Sequence, residues 1–153
     1  MNSVHINTEE VELPDWAEKA SGFALKVLDE IKRDNWELSI LFCGDKTIKR
    51  LNSKFRNKNE PTDILSFNLG ETVQIDGKTT FLPGDIVISL KSMQKNAKIF
   101  EISENEELQR LIIHGILHLD GMNHETNNGN EPMLTLQEEL LVLLDASIFG
   151  GGK

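Results

Sequence analysis

A single cysteine, Cys43, stands among 153 residues, and one thiol cannot close an internal disulfide. That scarcity suits a reducing compartment and excludes a disulfide-stapled secreted scaffold. Long apolar runs are missing as well. The longest, around Leu140 to Phe149, is broken by Asp145 and falls far short of the roughly 20 residues that a membrane helix needs. The opening Met1-Asn2-Ser3-Val4-His5 has neither a basic start nor an apolar block, so no secretory signal is expected. Low-complexity tracts, internal repeats and linkers are absent too. What remains is an ordinary globular composition, 39% hydrophobic and 27% charged, which points to a cytoplasmic protein. Its length suits one domain over residues 1–149, with 150–153 (Gly-Gly-Gly-Lys) as a disordered tail.

Basic charge is also scarce. The net charge is −9, which taken alone argues against a polyanionic partner. The distribution argues differently. Lys46, Lys49, Arg50, Lys54, Arg56 and Lys58 fall within thirteen residues that contain no acidic one, while the rest of the chain holds ten basic residues against twenty-five acidic. Such a run is either a solvated helix face or a local patch able to hold a phosphate backbone.

Three of the four histidines lie in one eleven-residue stretch, His114-Gly115-Ile116-Leu117-His118-Leu119-Asp120-Gly121-Met122-Asn123-His124. His114 and His118, four apart, share a helix face. Gly121 is expected to end that helix in the left-handed conformation, so the chain can double back and bring His124 to the same point. The flanking Leu111, Ile112, Ile113, Ile116, Leu117 and Leu119 are apolar nearly all round, so the helix is expected to be buried. Polar rings taken out of water need partners. Three imidazoles satisfy that need by holding a metal with one position open, the catalytic kind of zinc site. The spacing is that of metzincin proteases without their Glu after the first His, since Gly115 stands there. Peptidase chemistry is therefore disfavoured.

The rest of the chain reads as a mixed α/β layer, about four strands covered by about five helices. Val4-His5-Ile6 predicts a first strand. Trp16, Ala20, Phe23, Ala24, Val27, Leu28 and Ile31 predict an amphipathic helix over 14–33, opened by Pro14. A strand is expected over 36–43. Asp45 is expected to cap a helix carrying Ile48, Leu51 and Phe55 inward. Pro61 to Phe67 reads as a strand, and Asp76-Gly77 as a type I′ turn in a separate hairpin. A further strand over Asp85–Ile88 is entered through Pro83-Gly84. A helix is expected over about 90–100, and Ser103 with Glu106 forms a capping box for the histidine helix. Glu131-Pro132 opens a last helix with Leu136, Leu140, Val142, Leu143, Leu144 and Ile148 as its apolar set.

Five segments in order carry a family resemblance: Leu51-Asn52, Phe55-Arg56, Pro61-Thr62-Asp63-Ile64-Leu65-Ser66-Phe67, Gly84-Asp85-Ile86 and the histidine stretch. Over about residues 36–145 the chain resembles the YbeY family of rRNA-maturation endoribonucleases. The resemblance implies that His114, His118 and His124 hold one Zn2+ per chain, with another divalent transition metal open, and that Arg56 engages RNA phosphate. It implies action on single-stranded RNA, maturation of the 3′ end of small-subunit rRNA and a part in ribosome quality control, with the small ribosomal subunit as partner and neither DNA nor membrane. The expected machinery is zinc-bound water with Arg56 as catalytic groups, Lys46, Lys49, Arg50, Lys54, Arg56 and Lys58 as RNA-binding residues, and a base drawn from Glu125, Asp63 or Asp85. Where the family usually has Tyr-Asp before the last His, this chain has Met122-Asn123. Two other classes fit the residues: a non-catalytic assembly factor with structural zinc, and a metal-dependent hydrolase of another substrate.

Overall fold

The computed structural model describes residues 1–149; the tail expected at 150–153 lies outside them. The elements in order are β1 (Ser3–Thr8), α1 (Ala17–Glu30), β2 (Glu37–Cys43), α2 (Asp45–Arg56), β3 (Ile64–Ile75), β4 (Lys78–Ser89), α3 (Leu90–Phe100), α4 (Glu104–Leu119) and α5 (Pro132–Leu144). The strands form one mixed sheet in the order β1-β2-β4-β3. β1 and β4 run parallel to β2, while β3 runs antiparallel to β4 at the edge. This is the α/β architecture expected from the sequence.

Alternation along the strands sorts side chains to two faces. Leu38, Ile40 and Phe42 of β2 join Ile86 and Ile88 of β4 in the large core under α1, α4 and α5. Leu41 and Cys43 join Leu65, Val87 and Ile48 in a smaller cluster on the face of α2. Within the large core α4 buries Leu108, Ile112, Ile113, Ile116 and Leu117, each side chain worth roughly 1.5–3 kcal/mol relative to exposure. Burial also pushes the Cys43 thiol up to about 12, which makes it an inert core residue.

Several expectations need correction. The hairpin and the Asp85–Ile88 strand are one pair of twelve-residue strands, β3 and β4, joined at Asp76-Gly77, both with positive φ as a type I′ turn requires. Pro83-Gly84 lies inside β4, beside the register shift between Asn68 and Glu71, where a missing N–H leaves no ladder bond unmade. Gly84 has φ +135, and a Cβ there would lie 1.9 Å from the Phe67 carbonyl oxygen, so no other residue fits. Asp45 does not cap α2. That end is held by Glu10, whose carboxylate accepts from the Thr47 N–H at 2.7 Å. Asp45 instead accepts from the Ser89 and Ser92 hydroxyls, both at 2.6 Å, and from Lys95 at 3.1 Å, tying α2 to the start of α3. Helix α1 spans 17–30 rather than 14–33, because Lys32 turns left-handed at φ 61. Phe55 points outward, 52% exposed, with its ring edge-on to Phe67 at 5.3 Å. Val142 and Leu143 are exposed on α5 rather than part of its buried face.

Candidate metal centre and its cavities

The histidine site is assembled by helix geometry, one cap and one turn. Ser103 accepts the Glu106 N–H at 3.0 Å and opens α4; the Glu106 carboxylate turns to Arg110 instead of completing the box. At the other end the Gly121 N–H donates to the His118 carbonyl and the Met122 N–H to the Leu117 carbonyl, both at 3.0 Å. With Gly121 at φ +97 this is a Schellman ending. The reversal returns His124 to the helix, its ring centroid 5.3 Å from that of His114 and 5.6 Å from that of His118.

Each ring is oriented through Nδ1. His118 Nδ1 lies 3.1 Å from the Met122 carbonyl oxygen and His124 Nδ1 2.8 Å from that of Thr126. His114 Nδ1 lies 2.7 Å from Gln137 Oε1, while the Gln137 amide nitrogen donates to Glu138, which fixes the amide's direction. A carbonyl oxygen only accepts, so each Nδ1 carries its proton, which in a neutral ring leaves Nε2 with its lone pair. The Nε2 atoms of His114 and His118 then face one another at 3.0 Å with no proton between them. Burial holds both of these imidazoles below their usual pKa, so they are neutral at pH 7. One nitrogen from each of the three rings lies within 4.8 Å of the others. Ligand nitrogens around a tetrahedral zinc stand about 3.3 Å apart. Three converging, partly buried imidazole nitrogens fit a cation.

Gln137 was not foreseen. It comes from α5, twenty-three residues beyond His114, and in the sequence it is one of three consecutive polar residues, Gln137-Glu138-Glu139, with nothing to single it out. Gly115, where metzincins carry Glu, has a structural cause: a Cβ there would lie 2.9 Å from Ile86 Cδ1. The helix sits on β4 so closely that a side chain there would have to displace Ile86.

Two cavities meet at His114. One, of about 310 Å³, is lined by Arg56, Ser66, Asn68, His114, His118 and Asn123. Arg56 leaves the end of α2 with its Nη2 donating to the Ser66 carbonyl at 2.8 Å and its guanidinium 5.0 Å from the Phe67 ring centroid. The outer edge of β3 thus lies between the arginine of α2 and the histidines of α4. The other cavity, of about 630 Å³, runs from His114 and His124 past Asp63 toward Arg110.

The remaining candidates scatter. Asp63 lines the larger cavity, with Oδ2 accepting from Asn96 at 3.0 Å. Asp85 faces a separate hollow with Asn7, Leu51 and Phe67. Glu125 is exposed and lines neither cavity at His114. Lys46, Lys49, Arg50, Lys54 and Lys58 are all exposed; Arg50 pairs with Glu9 at 2.5 Å and Lys54 lies 5.2 Å over the Phe55 ring. Of the six cations, Arg56 alone lines a cavity with the histidines.

Comparisons with known proteins point to one family. A family model described as Endoribonuclease YbeY matches residues 2–145. The Endoribonuclease YbeY of Treponema denticola is 48% identical over 125 residues, 81% of each chain. That of Treponema pallidum (strain Nichols) is 43% identical over 142 residues, covering 92% of this chain and 89% of its own. A solution structure of TM1509 from Thermotoga maritima aligns over 90% of this chain and 86% of its own, with TM-score 0.63 and 27% identity.

Proposed function

The chain belongs to the YbeY family of endoribonucleases, hydrolases of RNA, and from that membership we propose that it is a zinc-dependent endoribonuclease that cuts single-stranded RNA and matures the 3′ end of small-subunit rRNA. A part in ribosome quality control, with the small subunit as partner, follows from the same membership. One observation carries the reading most strongly: three imidazoles converge, and two of them, His114 and His118, line a cavity with Arg56.

His114, His118 and His124 would hold the metal, one per chain within a single domain. The chemistry that a bound zinc supplies is Lewis acidity toward water and a phosphoryl oxygen. The protein's own groups do the rest. Gln137 and the carbonyls of Met122 and Thr126 keep the three rings in the ligand tautomer. Arg56 keeps guanidinium donors beyond those used on the Ser66 and Phe55 carbonyls, and these bind a phosphate oxygen and stabilise charge building on it. Among the three base candidates, Asp63 lines a cavity with the histidines, which favours it for taking the proton of the attacking hydroxyl or water. Asn123 replaces the family's usual Asp on the wall of the smaller cavity. It offers an amide there and no charge. The exposed cations of α2 extend the phosphate-binding surface outward from Arg56.

Cleavage of a single-stranded RNA carrying the small-subunit rRNA 3′ end tests this, with metal content measured on each preparation. His114→Ala is expected to lose both metal and cleavage. Arg56→Ala is expected to keep the metal and lose about 10²-fold or more in rate. Wild type and both variants cutting alike would overturn the reading. A 2′,3′-cyclic phosphate on the product would identify the ribose hydroxyl as the attacking group, and a 3′-hydroxyl would identify water.

A further inference from the structure

The larger cavity holds a carboxylate that the metal chemistry does not use. Glu107 of α4 is only 3% exposed, and its Oε1 is the one buried side-chain polar atom without a hydrogen-bond partner among the described residues. Arg110 is the nearest cation, with Nη1 3.5 Å away, but its hydrogen bonds go to Glu106 and to Glu138, at 2.9 and 3.0 Å. Asn96 also interacts with the Glu107 carboxyl, and Arg110 makes the group ion-paired, but Oε1 itself accepts no hydrogen bond. A buried carboxylate oxygen left so is costly; a donor entering the cavity would complete it.

Position decides what kind of donor. Glu107 precedes His114 by seven residues, about 10 Å along the helix, and helical side chains lean toward the N-terminus, farther from the rings. That is too far for proton transfer at the histidines. It is the reach of a neighbouring nucleotide. Glu106 and Glu107 make the wall acidic, which repels phosphate, while Phe100, Leu111 and Leu134 supply apolar surface. The volume of about 630 Å³ lies within the range of small-molecule pockets. Unstacked RNA bases are read in this way, by stacking on apolar side chains and hydrogen bonding on the Watson–Crick edge.

We infer that this cavity is a nucleobase subsite beside the cleavage centre, in which Glu107 accepts an N–H from the amine edge of guanine, adenine or cytosine and disfavours uracil. Uracil offers one N–H flanked by two carbonyl oxygens, which a carboxylate repels. The inference rests on RNA being the substrate, and binding measured apart from cleavage separates the two.

The test is equilibrium binding of the four ribonucleoside 5′-monophosphates to the intact metal-loaded protein, followed by NMR titration. UMP is expected to bind about tenfold more weakly than the other three, the scale of one lost hydrogen-bond partner. Glu107→Gln replaces half of the acceptor by a donor and should narrow that gap to about threefold or less. Leu134→Trp fills the cavity without touching Glu107 and should weaken the three amine-bearing nucleotides toward UMP, which keeps the test open should the Glu107 variant fail to fold. Equal affinity of all four nucleotides for wild type, or an unchanged ranking in both variants, overturns the subsite even where RNA is cut normally. Discrimination by a protein that cuts no RNA would keep the subsite and sink the nuclease reading.

Discussion

Helices α4 and α2 are both amphipathic, and they use their polar side chains in opposite ways. α4 turns two imidazoles toward a third and holds each through Nδ1. α2 buries Thr47, Ile48 and Asn52 and sends its cations into solvent. A metal site needs convergence to within a few tenths of an ångström, so every contact around the rings is fixed by packing or backbone. A phosphate surface needs only proximity and charge, so its cations need no such fixing. Arg56 joins the two regimes. It is the last residue of α2, and with Asn57 left-handed at φ 58 the chain leaves the helix there and frees the guanidinium to reach β3.

The comparison breaks most sharply at the metal. His118→Ala should abolish stoichiometric metal binding and lower the melting temperature by as much as a chelator lowers that of wild type, because a ligand that binds the folded state stabilises it by mass action. Metal analysis and thermal unfolding with and without chelator check this. An equally large effect from any lysine of α2 would erase the distinction.

Next in size is the helix–sheet contact. Gly115→Glu drives a charged side chain into Ile86 and should cost about 3 kcal/mol or more, read from urea unfolding. Asp45 sharpens the other side of the comparison, as the acidic group of α2 that is tied down. Burial pushes its carboxyl up, but the bonds from Ser89, Ser92 and Lys95 outweigh that and hold it below the usual carboxylate range. Its stabilisation is therefore present above the unfolded value and is lost as pH falls through the lower folded one. Asp45→Asn should cost about 1–3 kcal/mol at neutral pH and flatten the acid limb of the stability profile below about pH 4. Smallest is Lys49→Gln. It should leave stability within about 0.5 kcal/mol and, if Lys49 contacts phosphate, reduce the salt dependence of RNA binding by about one counterion.

Local chemistry was what the sequence made legible. The i, i+4 histidines, the Ser103 cap, the Gly121 ending and the Asp76-Gly77 turn are each settled by neighbours within a few residues, and each stands where its pattern placed it. What escaped depends on distant partners. Pro83-Gly84 looked like a strand boundary because the register shift that accommodates it lies on β3. Asp45 looked like the cap of its own helix because Glu10, which holds that end, is thirty-seven residues from the Thr47 it binds. Gln137 and Glu107 were invisible as site residues, since an amide in one helix and a carboxylate in another acquire meaning only once packing surrounds them.

Gly115 has a consequence for descent. A chain with three histidines at this spacing stands one codon from the metzincin signature, yet the helix lies so close to Ile86 that a glutamate could arrive only by displacing it. Peptidase chemistry would require prior shrinkage of the sheet residue, a step with its own stability loss and no immediate return. The contact that packs the helix therefore also opposes the residue that peptidase chemistry would need at this ligand spacing.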